Sequence, residues 1–582
     1  VKQYSVLVLI TAIFSLAWAD NNNDALIEWN SIHRPVKSDG GMVASQEHRA
    51  SQIAAEILAQ GGNAVDAAVA LGFAKAVSLP KAGNLGGGGF MLVHLAKENK
   101  TIAIDYREMA PNAATDDMFL NLFGQVSLTE SRFSLKSSGV PGTVAGLLHA
   151  LEKYGTMSRE QVMQPAINLA EKGIIADNPF LDSLNARKIR LVQDDEVSRI
   201  YFKEDAESYR VGEVMRFPDL AKTLNLIKMQ GAAGFYEGDV ADKFESYMKD
   251  NDGLITKKDL KNYKVVEREV IKGSYRGFDV VSMPPPSSGG IHIIQGLNIL
   301  ENFNLSEMGW GSADHIHVMA ETFKYMYADR SKHLGDPDFF TVPTKKLIDK
   351  KYAKSIAQKI SLSKATPSDK ISPNQFDDKE SRQTTHFSVI DRWGNVVSNT
   401  YTLNFSFGSG KIVPGTGVFL NNEMDDFSAK PGVANAYGLI GGEANAIEPK
   451  KRPLSSMTPT IIFKNGYPIL VTGSPGGSRI ITTVMHQIIN TIDFKMNVSE
   501  SAHRPRFHHQ WFPDTLFMET GFSPDTIKSL KQRGQNIQES RAGGSVQSIS
   551  KLNEKEVYGA SDPRRSGAKS IGVSQSGQLI YY

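Results

Sequence analysis

The run Thr384-Thr385-His386-Phe387-Ser388-Val389-Ile390, then Asp391-Arg392-Trp393-Gly394-Asn395, then Val396-Val397-Ser398-Asn399-Thr400-Tyr401-Thr402-Leu403 decides how this chain is read. Its first and last parts are rich in β-branched and aromatic side chains, and the middle has turn chemistry, so the whole predicts a hairpin. Thr384 and Thr402 are equidistant from Trp393, which predicts that they face each other at the open end. Immediately upstream, Ser361 to Gln383 is rich in Ser, Asp and Pro with scattered apolar residues, and it reads as an exposed connector. A threonine hydroxyl is a poor nucleophile without a base. A threonine at a chain terminus carries its own base, because a free α-amine titrates near about 8. A cut between Gln383 and Thr384 creates that arrangement.

Farther along, Asn465-Gly466 joins a second predicted hairpin, Thr460 to Phe463 with Ile469 to Val471. Gly473-Ser474-Pro475-Gly476-Gly477-Ser478 then runs into a helix starting near Arg479, and free N–H groups at a helix start favour negative charge. Toward the N-terminus, Ala50, Ile53, Ala54, Ile57 and Leu58 recur at helical spacing. Gly61-Gly62-Asn63 ends that helix, and Val65, Ala68, Val69, Gly72 and Phe73 begin another. Gly86 to Gly89 lacks the Lys-Ser/Thr ending of a phosphate loop and reads as close backbone packing. Ile102 to Glu108 is a strand ending in charge, with Arg107 read on its own as a surface or salt-bridge residue. Gly142 to Lys350 reads as mostly helical, broken by the stiff loop Pro284 to Gly290. His317 with Glu321, and the group His503, His508 and His509, lack the ligand spacing of a metal site and read as structural. No G-x-S-x-G elbow appears.

The chain has 582 residues and a mass of 63.8 kDa, with 41% hydrophobic and 22% charged residues. Such a composition supports a large globular core. Lys and Arg number 65 against 63 Asp and Glu, so a net charge of +2 gives no reason to expect nucleic acid as a partner. Cysteine is absent, which excludes disulfides, thiolate metal sites and a cysteine nucleophile. The start, Val1-Lys2-Gln3 followed by an apolar run to Trp18 and Ala17-Trp18-Ala19, predicts a signal peptide over 1–19 cut after Ala19. The expectation is therefore an exported protein, periplasmic or secreted, with no stable membrane anchor.

Five segments together resemble the γ-glutamyltransferases, also called glutathione hydrolases, of the bacterial periplasmic type. They are Gln383 to Ser388, Thr400 to Asn404, Asn421 to Ser428, Pro453 to Met457 and Gly473 to Arg479. The similarity runs from about Asp39 to the C-terminus. It implies an α/β (α+β) fold, a four-layer αββα sandwich of the N-terminal nucleophile hydrolase type. It also implies a precursor that cuts itself at Gln383–Thr384 into a large subunit, 20–383, and a small subunit, 384–582, which remain one intertwined domain. By resemblance Thr384 is the nucleophile, Thr402 orients it, and Gly476 and Gly477 form the oxyanion hole. Arg107, Ser455 and Ser456 grip the α-carboxylate of the glutamyl donor, and Asn404, Glu423 and Asp426 grip its α-ammonium. Tyr437 belongs to a lid loop over 431–451. The resemblance implies glutathione and other γ-glutamyl compounds as donors, water, amino acids or dipeptides as acceptors, and neither cofactor nor metal.

The division of charge has its own logic: a group bearing a carboxylate and an ammonium on one carbon needs a cation on one side and carboxylates on the other. Two alternatives stay open at this point. One is a cephalosporin or glutaryl acylase on the same scaffold, which has no ammonium to recognise; the other is a secreted homologue without catalysis.

Overall fold

The structure is a computed structural model that describes residues 32–371, 384–540, 543–551 and 555–581. The predicted signal peptide and Gln383 lie outside the described residues. The hairpin forms as expected: Thr385–Ile390 pairs with Val396–Thr402 in the register Thr385 to Tyr401 through Ile390 to Val396. Its turn is built by Asp391, whose Oδ1 accepts from the N–H groups of Trp393 and Asn395 at 2.9 Å each.

This hairpin is the centre of an antiparallel sheet among the described residues. The order is Leu579–Ile580, Lys569–Val573, Gly41–Ser45, Thr385–Ile390, Val396–Thr402, Gly88–Leu95, Lys100–Tyr106 and Val266–Arg268. Strands from both sides of position 383 alternate across it, so neither part has a core of its own. A second antiparallel sheet runs Val36–Ser38, Val557–Ser561, Gln547–Lys551, Tyr467–Thr472, Thr460–Lys464, Phe278–Ser282 and Ile271–Tyr275.

Alternation along the central strand sets the layers. Phe387 and Val389 pack toward the helices His48–Ala59 and Ala64–Ser78, with Val69 and Phe73 in the same core. On the opposite face, Ile390 joins Ile461, Val471 and the helices Gly289–Leu300, Ala313–His333 and Arg479–Ile492. The result is helix, sheet, sheet, helix. Part of the seam between the sheets is polar: Ser388 donates to the Gln547 carbonyl at 2.8 Å and Ser398 to the Thr472 carbonyl at 3.1 Å.

Helix Ala64–Ser78 is buried along its whole length. Asn63 caps it, accepting from the N–H groups of Val65 and Asp66, and Asp391 Oδ2 accepts from Ala64 N at 2.9 Å. The helix thus starts at the hairpin turn and runs back alongside the strand toward Thr384. The strands Val266–Arg268, Ile271–Tyr275 and Phe278–Ser282 interrupt a stretch read from sequence as mostly helical; the first two are sheet edges and the third lies next to an edge, and each carries an exposed charge. Among the described residues no helix is long and apolar enough to cross a membrane.

Candidate active site

Thr384 and Thr402 meet at the open end of the hairpin, their hydroxyl oxygens 3.4 Å apart. Thr402 is fixed from several directions: its Oγ1 accepts from Asn404 N at 2.9 Å, and its carbonyl accepts from Asn84 Nδ2 at 3.0 Å. The glycine run explains the close fit. A Cβ at Gly87 would stand 1.9 Å from the Thr402 carbonyl oxygen, so only glycine lets this strand approach.

Below Thr384 sits a residue that no sequence pattern singled out. Lys75 is fully buried; its Nζ donates to Thr385 Oγ1 at 2.9 Å and to the His386 carbonyl at 3.2 Å. Burial pushes its pKa down to about 7, opposed by Glu47. A lone lysine within the otherwise helix-packing run Ala64 to Ser78 was the available signal. His386, between the sheets, is held well below the usual histidine range by burial, with the Lys75 charge adding to the effect.

Thr384 and Thr402 open onto a cavity shared with Arg107, Asn404, Glu423, Asp426, Tyr437, Ser455, Ser456 and Gly477. Topology brings these groups together from five stretches of the chain: Arg107, Thr384 to Asn404, Glu423 to Tyr437, Ser455 with Ser456, and Gly477. Arg107 follows the strand Lys100–Tyr106, and Glu423 and Asp426 bound a short turn of helix, Glu423–Asp426. The fully buried guanidinium donates to Glu423 Oε1, to Asp426 Oδ2 at 2.6 Å and to the Pro453 carbonyl at 3.2 Å. The cation and the two carboxylates, read from sequence as opposite sides of a pocket, are thus bonded directly to each other. Glu108, also buried, lies 3.4 Å from the same guanidinium.

Burial sets the titration of two of the acids around this cation. Burial pushes Glu423 well above the usual carboxylate range and Glu108 up to about 7, each held back by Arg107. Asp425, just behind, is pushed up to about 7 by burial, against the pull of Arg132 at 3.5 Å. An acid whose pKa is raised on folding stabilises the fold fully below its unfolded value, and that contribution is lost as pH rises through the folded value. Asp425→Asn cannot titrate, so its Tm is expected to fall less than wild type between pH 4 and 7. The difference corresponds to about 1.4 kcal/mol per pH unit within that window. Parallel Tm profiles across this range would refute the assignment.

Ser456 Oγ accepts from Arg330, a second buried guanidinium, at 3.2 Å, and Arg330 also donates to Ser288 Oγ at 3.0 Å. Arg330 makes no ion pair among the described residues. It too escaped the sequence reading, being one basic residue among several on a long helix. Ser455 is held through its backbone, its N donating to the Pro286 carbonyl at 2.8 Å.

Tyr437 lines the cavity and is buried. Its hydroxyl donates to the Asn404 carbonyl at 2.9 Å and contacts Asn404 Oδ1. The space beneath is about 20 Å3, room for a single water. Gly477, at φ 56°, lines the cavity ahead of helix Arg479–Ile492, whereas Gly476 is not on the lining and packs near Gly544. Away from this cavity, His317 is bonded to the Ser361 carbonyl at 2.7 Å and to Gln535 at 3.0 Å, the structural role expected for it.

A carboxylate-rich pocket holding one arginine, beside a hydroxyl at the start of a strand, suits acyl transfer from an amino-acid-like group. The family model described as Gamma-glutamyltranspeptidase matches residues 50–572. The glutathione hydrolase proenzyme of Escherichia coli K12 is 54% identical over 533 residues, covering 92% of this chain and 92% of that protein. The proenzyme of the same name from Pseudomonas aeruginosa is 42% identical, covering 91% and 94%. Among solved structures, Helicobacter pylori gamma-glutamyltranspeptidase is 47% identical with a TM-score of 0.55, covering 56% of this chain and 93% of that one. Cephalosporin acylase from Bacillus halodurans is 26% identical with a TM-score of 0.81, covering 95% and 99%.

Proposed function

This chain belongs to the gamma-glutamyltranspeptidase family, and we propose that it is a self-processing enzyme that removes the γ-glutamyl group from glutathione and related compounds. The hydroxyl pair Thr384 and Thr402, 3.4 Å apart and sharing a pocket with Arg107, Glu423 and Asp426, is the observation that carries this reading. In the proposed maturation, cleavage at Gln383–Thr384 frees the α-amine of Thr384, leaving 20–383 and 384–582 interleaved in the same sheets.

In turnover, the Thr384 α-amine takes the hydroxyl proton as Oγ1 attacks the γ-carbonyl. Thr402 holds that oxygen in place. The C–N bond breaks, the departing amine takes the proton, and a γ-glutamyl ester remains on Thr384. Water, or the amine of an amino acid or dipeptide, then attacks the ester carbon and returns the hydroxyl. Gly477, with Gly476 behind it, supplies N–H groups for the developing oxyanion. Arg107, Ser455 and Ser456 take the glutamyl α-carboxylate; Asn404, Glu423 and Asp426 take its α-ammonium. Tyr437 excludes water while the group is bound. Export directed by 1–19, with cleavage after Ala19 and delivery to the periplasm or the medium, completes the proposal.

Denaturing electrophoresis with N-terminal sequencing tests the maturation, the expected result being two fragments, the smaller beginning Thr-Thr-His. A single uncut, inactive chain would favour the non-catalytic alternative. The acylase reading draws support from the cephalosporin acylase likeness. It is separated by comparing γ-glutamyl and glutaryl anilides, since only the first bears the ammonium that two pocket carboxylates require. Gly477→Ala tests the oxyanion role. An added Cβ would stand 2.4 Å from the Tyr437 ring at a left-handed φ, displacing the local N–H groups. The expected loss in kcat is about 10²-fold to 10³-fold, and an unchanged kcat would remove Gly477 from the mechanism.

A further inference from the structure

A basic groove of about 730 Å3 runs along the outside of the loop that carries Asn404. Two of its lining residues, Phe405 and Ala436, are the chain neighbours of Asn404 and Tyr437 in the Thr384 cavity. The Phe405 ring meets Tyr437 on one side and Phe133, another groove residue, on the other, each with centroids 6.0 Å apart. The groove therefore begins where the lid ends.

Its charge is one-sided: Arg132, Arg187, Lys188, Arg190 and Lys411 line it, against Asp194 alone. Asp194 is already engaged, accepting from Val197 N at 2.9 Å as a helix cap and from the Tyr247 hydroxyl at 3.2 Å. Arg132 faces Asp425. Arg190 is structural, donating to the carbonyls of Ser406 at 2.5 Å and Gly408 at 2.9 Å and so holding the Asn404 loop. Among the described residues, Arg187 and Lys411 make no ion pair. Arg187 is exposed and donates to the neighbouring Ala186 carbonyl at 3.2 Å. A further cavity of about 320 Å3 shares Ala186, Arg187 and Ser406 with the groove, and there the charge is mixed, with Asp177 and Asp182 beside Lys81, so the one-sided charge belongs to the groove itself. In a chain of net charge +2, such a run of cations beside the lid is a local feature.

We propose that this groove receives the amine-side part of the substrate, a peptide ending in a carboxylate, with Arg187 and Lys411 as the partners of that carboxylate. The proposal rests on the glutamyl-transfer reading above. The groups assigned around Thr384 serve the acyl half alone, so the amine half must find its partners outside them. The departing and the incoming amine occupy the same position relative to the ester, because one step is the chemical reverse of the other. One groove then serves both the leaving peptide and an acceptor peptide. A peptide amine with a free C-terminal carboxylate gains from the cations; one with a neutral end does not.

The test compares two donors that differ only in that charge, γ-glutamyl-cysteinyl-glycine and its C-terminal amide, with a neutral γ-glutamyl anilide as reference. The readout is the ratio of kcat/KM for acid over amide. Wild type is expected to prefer the acid, and the Arg187→Gln, Lys411→Gln double variant to lower the ratio about fivefold, the scale of two partly exposed ion pairs. Added salt should lower the wild-type ratio in the same direction, and Arg187→Lys should restore part of it. An unchanged ratio overturns the groove assignment, including the case in which both donors slow together. Turnover of the anilide with an unchanged ratio isolates that failure from the glutamyl reading. Failure of wild type to release product from any of the three sinks both.

Discussion

Thr384→Ala is expected to yield a single uncut chain that releases no product from a γ-glutamyl anilide. One hydroxyl is assigned two tasks: attack on the peptide bond preceding it, and attack on each substrate thereafter. Alanine removes that oxygen together with the γ-methyl, leaving no nucleophile on the residue. The hydroxyl contact with Thr402 is long at 3.4 Å, so its own loss should cost about 1 kcal/mol or less in folding stability. Full-length, folded, inert protein is thus the expected state, with Tm near that of wild type. Thr384→Ser retains an oxygen on the terminal residue and should still cut, more slowly, because the methyl that restricts χ1 is gone. Thr402→Ala should give an intermediate result, with the nucleophile present but less well held. Product release by uncut Thr384→Ala would overturn the assignment of Thr384.

How much of this could be read beforehand depended on how local the information was. The hairpin from Thr384 to Leu403 was legible because its alternation, its turn and its symmetry all lie within one short segment. So was the break at Gly61-Gly62-Asn63, where Asn63 caps the next helix. The strands at and next to the sheet edges between Val266 and Ser282 were not. Their exposed faces carry Glu267, Lys272 and Asp279, which dilute the apolar alternation. The pairing of Arg107 with Glu423 and Asp426 is beyond any spacing rule, since it spans over three hundred positions and depends on how the sheets close. Family resemblance brought those residues together on paper, but not the direct bonds among them. Nor did it bring in Glu108, Arg330 or Lys75, whose importance lies in burial that no local pattern encodes. Gly476 and Gly477 were read as an equivalent pair; successive positive φ values of 141° and 56° turn them to different surroundings.

Arg107→Met is expected to abolish donor binding and to destabilise the protein in a pH-dependent way, and the two effects have one source. The guanidinium is the only cation bonded to Glu423 and Asp426 among the described residues, with Glu108 at 3.4 Å. Removing it leaves carboxylates in a buried site without compensation, which typically costs about 3 to 5 kcal/mol. Those acids can escape the penalty by taking up protons. The folded pKa values of Glu423 and Glu108 then rise further above the unfolded ones, so the variant should be least affected at low pH and lose stability as pH rises. The Tm difference from wild type should therefore be small near pH 5 and large near pH 8. Arg107→Lys should rescue only part, since one ammonium cannot present the planar fork that reaches both acids. Adding Glu423→Gln to Arg107→Met should recover stability at pH 8 without recovering turnover, because the buried charge is relieved while the partner of the substrate carboxylate is still missing. If Arg107→Met matches wild type in Tm at pH 8, the cluster is not held together by this charge, and the pocket must be organised by the backbone bonds of Asn404 and Ser455 instead.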